Sequence, residues 1–176
     1  MEFEQAMPGR FVRWVAASPD WDAVYRSELP RVYNFFRYRL GDIPDIEDLT
    51  ARTFEKAWRA REQYRRDLAG FATWLLSIAR NVANDHLRSH RQHLSLDDAA
   101  EISTASHTPE ESMVRQSDAK RLAMLLAALP ERDRELMALK YGAGMTNRAI
   151  ARATGLSETN IGTILHRSVQ TLRESW

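Results

Sequence analysis

The chain has 176 residues, with 44% hydrophobic and 28% charged, 7 glycines, 6 prolines and 0 cysteines. That length admits one mid-sized domain or two small ones with a linker and excludes a large catalytic barrel, while so few turn-forming residues favour helices over a β-sandwich. Without cysteine the chain holds no disulfide, thiolate zinc site or thiol switch, and its 25 basic against 24 acidic residues, a net +1, point to no partner.

The opening residues Met1, Glu2, Phe3, Glu4 and Gln5 carry acids where a secretory signal needs a basic start, and the longest nearly apolar run, 71–79, is too short to span a bilayer. The chain is therefore expected to be cytoplasmic, with no membrane insertion. Residues 1–20, with Pro8, Gly9, Ser18 and Pro19, read as an N-terminal extension. From there Val24, Val32, Phe35, Phe36 and Leu40 fall close to helical spacing and Gly41 ends the run as a C′ residue. Pro30 either kinks this helix or begins a second one. Pro44 then opens a further helix as its first-turn proline, with Asp45, Glu47 and Asp48 at the positive end and Leu49, Phe54, Ala57 and Trp58 as apolar contacts. A loop at 67–70 leads to another helix, lined on one side by Phe71, Trp74, Leu75, Ile78, Ala79, Val82 and Leu87, with Arg80, Arg88 and Arg91 projecting elsewhere.

Residues 92–113 carry Ser95, Ser103, Thr104, Ser106, Thr108, Pro109 and Ser112 with little apolar periodicity, and are read as a linker. Charge divides the same way: 15 basic and 13 acidic residues lie in 1–91, 0 and 5 in 92–114, and 10 and 6 in 115–176. The second block begins with Leu122, Leu125, Leu126 and Leu129 on one face and stops at Pro130. A helix over 131–141 follows, then a turn at 142–144. Thr146 caps a short helix through Ala153, Gly155 supplies a left-handed residue, and Ser157 caps the last helix, which carries Ile161, Leu165, Val169 and Leu172. The expected fold class is all-α, with helical domains at 21–91 and 114–176 joined by a flexible linker.

The end of the chain has the layout of a helix-turn-helix, whose second helix enters the major groove. Ser157, Glu158, Thr159, Asn160 and Thr163 would face base edges there, with Arg148 and Arg167 placed for phosphates. A plain αα-hairpin packed core to core has the same spacing.

The run Met145, Thr146, Asn147, Arg148, Ala149, Ile150, Ala151, Arg152, Ala153, Thr154, Gly155, Leu156, Ser157, with Thr159, Asn160, Ile161, Leu165, His166, Arg167, Leu172 and Arg173 beyond it, resembles the minus-thirty-five-binding domain of extracytoplasmic-function sigma factors. Response regulators share that pattern, but Asp45, Ile46, Glu47, Asp48, Leu49 and Phe54, followed by the stretch 74–88, resemble the other sigma domain in the same order and separation. The resemblance implies an alternative sigma factor: a targeting subunit rather than an enzyme, without a cofactor, partnered by core RNA polymerase, promoter DNA and an anti-sigma factor. It implies polymerase docking by Asp45, Glu47, Asp48, Leu49 and Phe54, and minus-ten recognition and melting by Arg80, Asn81, Asn84, Asp85 and Arg88. In physical terms the arginines suit phosphates, the asparagines suit unpaired base edges, and Tyr64 or Phe71 suits stacking on a base. Trp74, at an apolar helical position, reads as core, and the three acids of 45–48 would equally favour the helix dipole. Gly162, Thr163 and Ile164 depart from the family, whose members place a lysine, a small polar residue and an arginine there, and Arg148 with Ala149 replaces the usual acidic pair.

Two other readings follow from the residues. An autonomous dimeric helix-turn-helix regulator would use the first block for dimerisation or sensing, but would not require an acidic docking helix. His86, His90 and His93 at i, i+4 and i+7, with Asp85, would be the metal-activated water site of a hydrolase, or a phosphate contact, or simply a solvated surface. No phosphate-cradling glycine loop supports another enzyme.

Overall fold

The computed structural model describes residues 21–94 and 111–176, and their side chains except at 92–94 and 111–116. The expected N-terminal extension and positions 95–110 of the expected linker lie outside the described residues.

The first unit is built from α1 (Trp21–Leu40), α2 (Ile46–Arg59) and α3 (Phe71–Leu94), with one 3-10 turn at Arg61–Gln63. Pro30 lies inside α1 without ending it, so the proline costs one backbone hydrogen bond and the helix continues. Asp22 near its start and Arg37 and Arg39 near its end suit the helix dipole. Gly41 closes it at φ +84°, donating its N–H to the Arg37 carbonyl at 3.0 Å. In α2 the buried positions are Ile46, Leu49, Thr50, Thr53, Phe54 and Ala57, one helical stripe. The two buried threonine hydroxyls donate to the Ile46 and Leu49 carbonyls at 2.7 and 2.8 Å, which removes the penalty of burying them unpaired. Pro44 stands outside this helix, because Asp45 rather than Pro44 occupies the N-cap position. The α3 stripe of Leu75, Leu76, Ala79, Val82 and Ala83 closes the core against α1 and α2.

The second unit holds α4 (Glu111–Ala128), α5 (Glu131–Met137), α6 (Asn147–Thr154) and α7 (Glu158–Ser175). Both ends of the expected linker are therefore helical: α3 continues to Leu94 and α4 starts at Glu111. Beyond α5 the chain widens into one π-helical turn, Ala138–Gly142, in which the Ala143 N–H donates to the Ala138 carbonyl at 2.9 Å. Gly142, expected to begin a turn after the helix, ends this π-helical turn instead. Leu136, Leu139, Ile150 and Ile161 are the fully buried large side chains of the second unit.

The two units share one continuous hydrophobic core. The π turn lies along α1, α6 lies on α3, and α5 touches α1. At Gly142 the π turn comes so near α1 that a Cβ would stand 2.8 Å from the Asn34 carbonyl oxygen and 3.3 Å from the Phe35 Cα. Any side chain there would push the π turn away from the α1 backbone.

Candidate nucleic-acid interface

Three surfaces carry the chemistry. In the second unit, Thr146 accepts from the Ala149 N–H at 3.2 Å to start α6, Gly155 takes φ +76°, and Ser157 accepts from the Asn160 N–H at 3.2 Å to start α7. These caps fix a helix-turn-helix whose second N-terminus faces solvent. Ser157, Glu158, Thr159, Asn160 and Thr163 are all exposed on it, as are Arg148 and Arg167. Two of the expected phosphate contacts are held by acids. Arg148 Nε meets Glu158 Oε1 at 3.3 Å, and Arg167 donates to the buried Asp133 at 3.1 Å. Ile164, at a departure from the family, is 6% exposed and belongs to the core. An added Cβ at Gly162 would meet only the Asn147 side-chain amide, at 3.8 Å, so packing does not demand glycine there.

On α3, Asn81, Asp85 and Arg88 are exposed and Asn84 is half-buried. Asp85 stands 3.6 Å from Lys56 Nζ and 3.9 Å from Arg88. Arg80, expected to project freely, does not. It is mostly buried, donating from Nε to Glu135 Oε1 at 2.8 Å and from its other end to the Ala153 carbonyl. Arg91 likewise pairs with Glu131. Asn84 and Arg88 line a groove whose opposite wall is Glu131, Arg132 and Glu135.

The third surface is the start of α2. Asp45, Glu47 and Asp48 are exposed above Leu49 and Phe54, which are 2% and 8% exposed. Leu49 and Phe54 thus set the position of the acids from below and present no surface of their own. Nearby, Trp21, Trp58, Tyr64, Phe71 and Trp74 form one aromatic cluster with ring centroids 5.1–5.6 Å apart. The Tyr64 hydroxyl donates to the Ala69 carbonyl at 3.3 Å, and Arg61 lies 4.3 Å over the half-exposed Trp58 ring, expected to be an apolar contact of α2.

The histidine face is less solvated than expected. His86 is 13% exposed in its side chain, and its ring stacks on that of His90 at 4.6 Å. His93's side chain lies outside the described residues, and among those described no group of three metal-ligating side chains is gathered.

Sequence reasoning missed Glu131 and Glu135. Their spacing of four on α5 is visible, but nothing local says that this helix face meets Arg39, Arg80 and Arg91 from the other unit. Arg39 was missed as well: it is 3% exposed and donates to the Glu131 carbonyl at 2.7 Å and carboxylate at 3.2 Å. Burial lowers its pKa, with Glu135 and Glu131 opposing. For Glu131, burial works against ionisation, and the Arg91 hydrogen bond and Arg39 charge outweigh it, holding the carboxyl below its ordinary value.

Comparison with known proteins bears on both units. Residues 24–93 match the family described as Sigma-70 region 2, and residues 119–172 match Sigma-70, region 4. The chain is 30% identical over 143 residues to the ECF RNA polymerase sigma factor BldN of Streptomyces coelicolor, an alignment covering 80% of this chain and 54% of that one. With the probable RNA polymerase sigma factor RfaY of Xanthomonas campestris pv. campestris it shares 31% over 137 residues, covering 75% and 34%. The ECF RNA polymerase sigma factor SigM of Bacillus subtilis is 27% identical over 153 residues, covering 86% and 92%. The chain thus spans about half the length of the first, a third of the second and nearly all of the third. Among solved structures, the sigma factor RpoE from Bartonella quintana, crystallised with the anti-sigma factor NepR, superposes with a TM-score of 0.74 at 21% identity, covering 89% of this chain and 96% of that one. CnrH, solved with the cytosolic domain of CnrY, superposes with a TM-score of 0.62 at 21% identity, covering 94% of each. At those identities the likeness is one of fold.

Proposed function

The chain belongs to the sigma-70 family, in its ECF group, and from that premise we propose that it is an alternative sigma factor, binding core RNA polymerase and directing promoter-specific initiation. The observation that carries this reading is the pairing of region 2 at 24–93 with region 4 at 119–172, in that order in one chain. An autonomous regulator needs only the second of these.

In this role the exposed Asp45, Glu47 and Asp48 dock on the polymerase, positioned by Leu49 and Phe54. Arg80, Asn81, Asn84, Asp85 and Arg88 of α3 engage the minus-ten element, the cations meeting phosphates and the amides meeting unpaired base edges. The α7 N-terminus reads the minus-thirty-five element through Ser157, Glu158, Thr159, Asn160 and Thr163, with Arg148 and Arg167 exchanging their present carboxylate partners for phosphates. The role is one of binding and targeting in the cytoplasm, with no reaction of its own. No helix among the described residues is long and apolar enough to cross a membrane. RpoE was solved with an anti-sigma factor and CnrH with a cytosolic domain, and a protein partner of that kind is the proposed regulator here.

Run-off transcription by core polymerase on genomic DNA from the source organism tests this. New transcripts that require the chain, and share upstream elements, are expected. Identical transcripts with and without it would contradict the proposal.

A further inference from the structure

Resting on the minus-thirty-five role assigned to α7, we propose that Asn147 of α6 reads one base of that element through the gap that Gly162 leaves in α7, and that its side-chain amide, turned so that it can only donate, selects guanine.

Gly162 stands where glycine is costly. It lies inside α7, and within a helix only proline is less favourable. Backbone geometry does not demand it, since the described glycines with positive φ are Gly41, Gly144 and Gly155. Packing does not demand it either, because an added Cβ would meet only Asn147 Nδ2, at 3.8 Å. What the missing side chain does is leave that amide uncovered. A side chain longer than alanine would start beside the amide and compete with DNA for it.

The amide is also held in one orientation. Lys140, in the π turn, donates from Nζ to Asn147 Oδ1 at 2.9 Å. An ammonium group has only donors, so this contact fixes which end of the amide carries the oxygen. Nδ2 therefore lies on the Gly162 side, where it has no acceptor among the described residues. Asn147 and Gly162 are both half-buried, so a side chain tethered in this way loses little freedom when it binds.

The face on which it opens is the one that carries recognition. Glu158 and Thr159 stand one helical turn before Gly162 and Thr163 follows it, all three exposed and all three assigned to base edges. With Oδ1 occupied, Asn147 offers two N–H donors and no acceptor. Guanine presents two acceptors in the major groove, N7 and O6, whereas adenine sets a donor beside N7, cytosine presents a donor and thymine places a methyl group beside O4. A group that can only donate favours guanine.

The test uses the full chain assembled with core RNA polymerase. Its probes are duplexes carrying every single-base change across the minus-thirty-five element of a promoter mapped with that holoenzyme, and competition binding gives the preference at each position. The unmodified holoenzyme is expected to favour guanine about tenfold at one position. Asn147→Ala and Gly162→Leu, each with its circular dichroism retained, should both remove that preference and leave the other positions as they were. Combined, they should do no more than either does alone. Gly162→Ala, whose Cβ makes an ordinary contact, should keep the preference. Asn147→Asp keeps a partner for Lys140 but offers only acceptors, and should turn the same position against guanine.

An Asn147→Ala variant that weakens every duplex equally would mark a phosphate contact and overturn the base reading. A guanine preference that survives Gly162→Leu would overturn it as well. A chain that forms no polymerase complex, or a holoenzyme indifferent to every change in the element, would overturn the functional reading and this assignment with it.

Discussion

His86 shows how a single side chain answers to its surroundings. Burial, then the neighbouring His90, push its pKa below the ordinary 6.5; Asp45 pulls the other way and Arg52 adds to the lowering. The Asp45 carboxylate is 3.9 Å away and half-exposed, too weak to prevail. As pH falls, the unfolded chain therefore takes up this proton before the folded one, so the His86 contribution is complete above about 6.5 and is lost as pH falls through the lowered folded value. Urea unfolding at pH 7.5 and at successively lower pH should show stability declining in that window, with His86→Gln flattening the decline; an equal slope in the variant would remove His86 as its source. The three-histidine spacing was readable, but the burial of the first depends on where α2 begins, which no local pattern states. Leu49 teaches the same thing. Leu49→Ala should cost about 2–5 kcal/mol in denaturant unfolding because it empties a core position. Glu47→Gln with Asp48→Asn should cost no more than about 1–2 kcal/mol, the helix-dipole contribution of two first-turn acids, and lower affinity for core polymerase, and undiminished binding would move the docking surface elsewhere.

At the scale of elements, the signals that proved readable are those set by neighbouring residues. Gly41 and Gly155 take the left-handed conformations expected of them, and Thr146 and Ser157 accept the cap hydrogen bonds. The apolar stripe of the last helix buries Ile161 and Leu165 as its spacing requires. Less readable was the π turn, because its register is set by Gly142 meeting a helix more than a hundred residues away in sequence. Pro30, equally a break or a kink on sequence grounds, is carried within one helix. Gly162 offers a test at this scale. Since a Cβ there meets nothing closer than 3.8 Å, Gly162→Ala should stabilise the protein to denaturant by roughly 0.5–1 kcal/mol, the usual helical penalty of glycine. No gain would mean that the backbone of α7 departs from ordinary helix energetics at that point.

Across the whole molecule, the sequence shows two basic helical blocks and the order of their motifs, which suffices to reach the family. It does not show how the blocks meet, because Arg39, Arg80, Arg91, Glu131 and Glu135 form pairs that only tertiary packing brings together. Arg80 is where the two levels conflict: free on a helical wheel, it is bound across the seam in the fold. Arg80→Gln should therefore have two effects, lowering stability to denaturant by removing a largely buried ion pair and reducing promoter opening by the holoenzyme in permanganate footprints. A purely structural Arg80 would change only the first. Membership of the polymerase as a subunit is tested most directly by mixing the purified protein with bacterial core RNA polymerase and following both by size exclusion. Co-elution as a one-to-one complex that withstands an excess of unrelated protein is the predicted result. A folded chain, free of bound partners, that elutes entirely apart from the polymerase would contradict it.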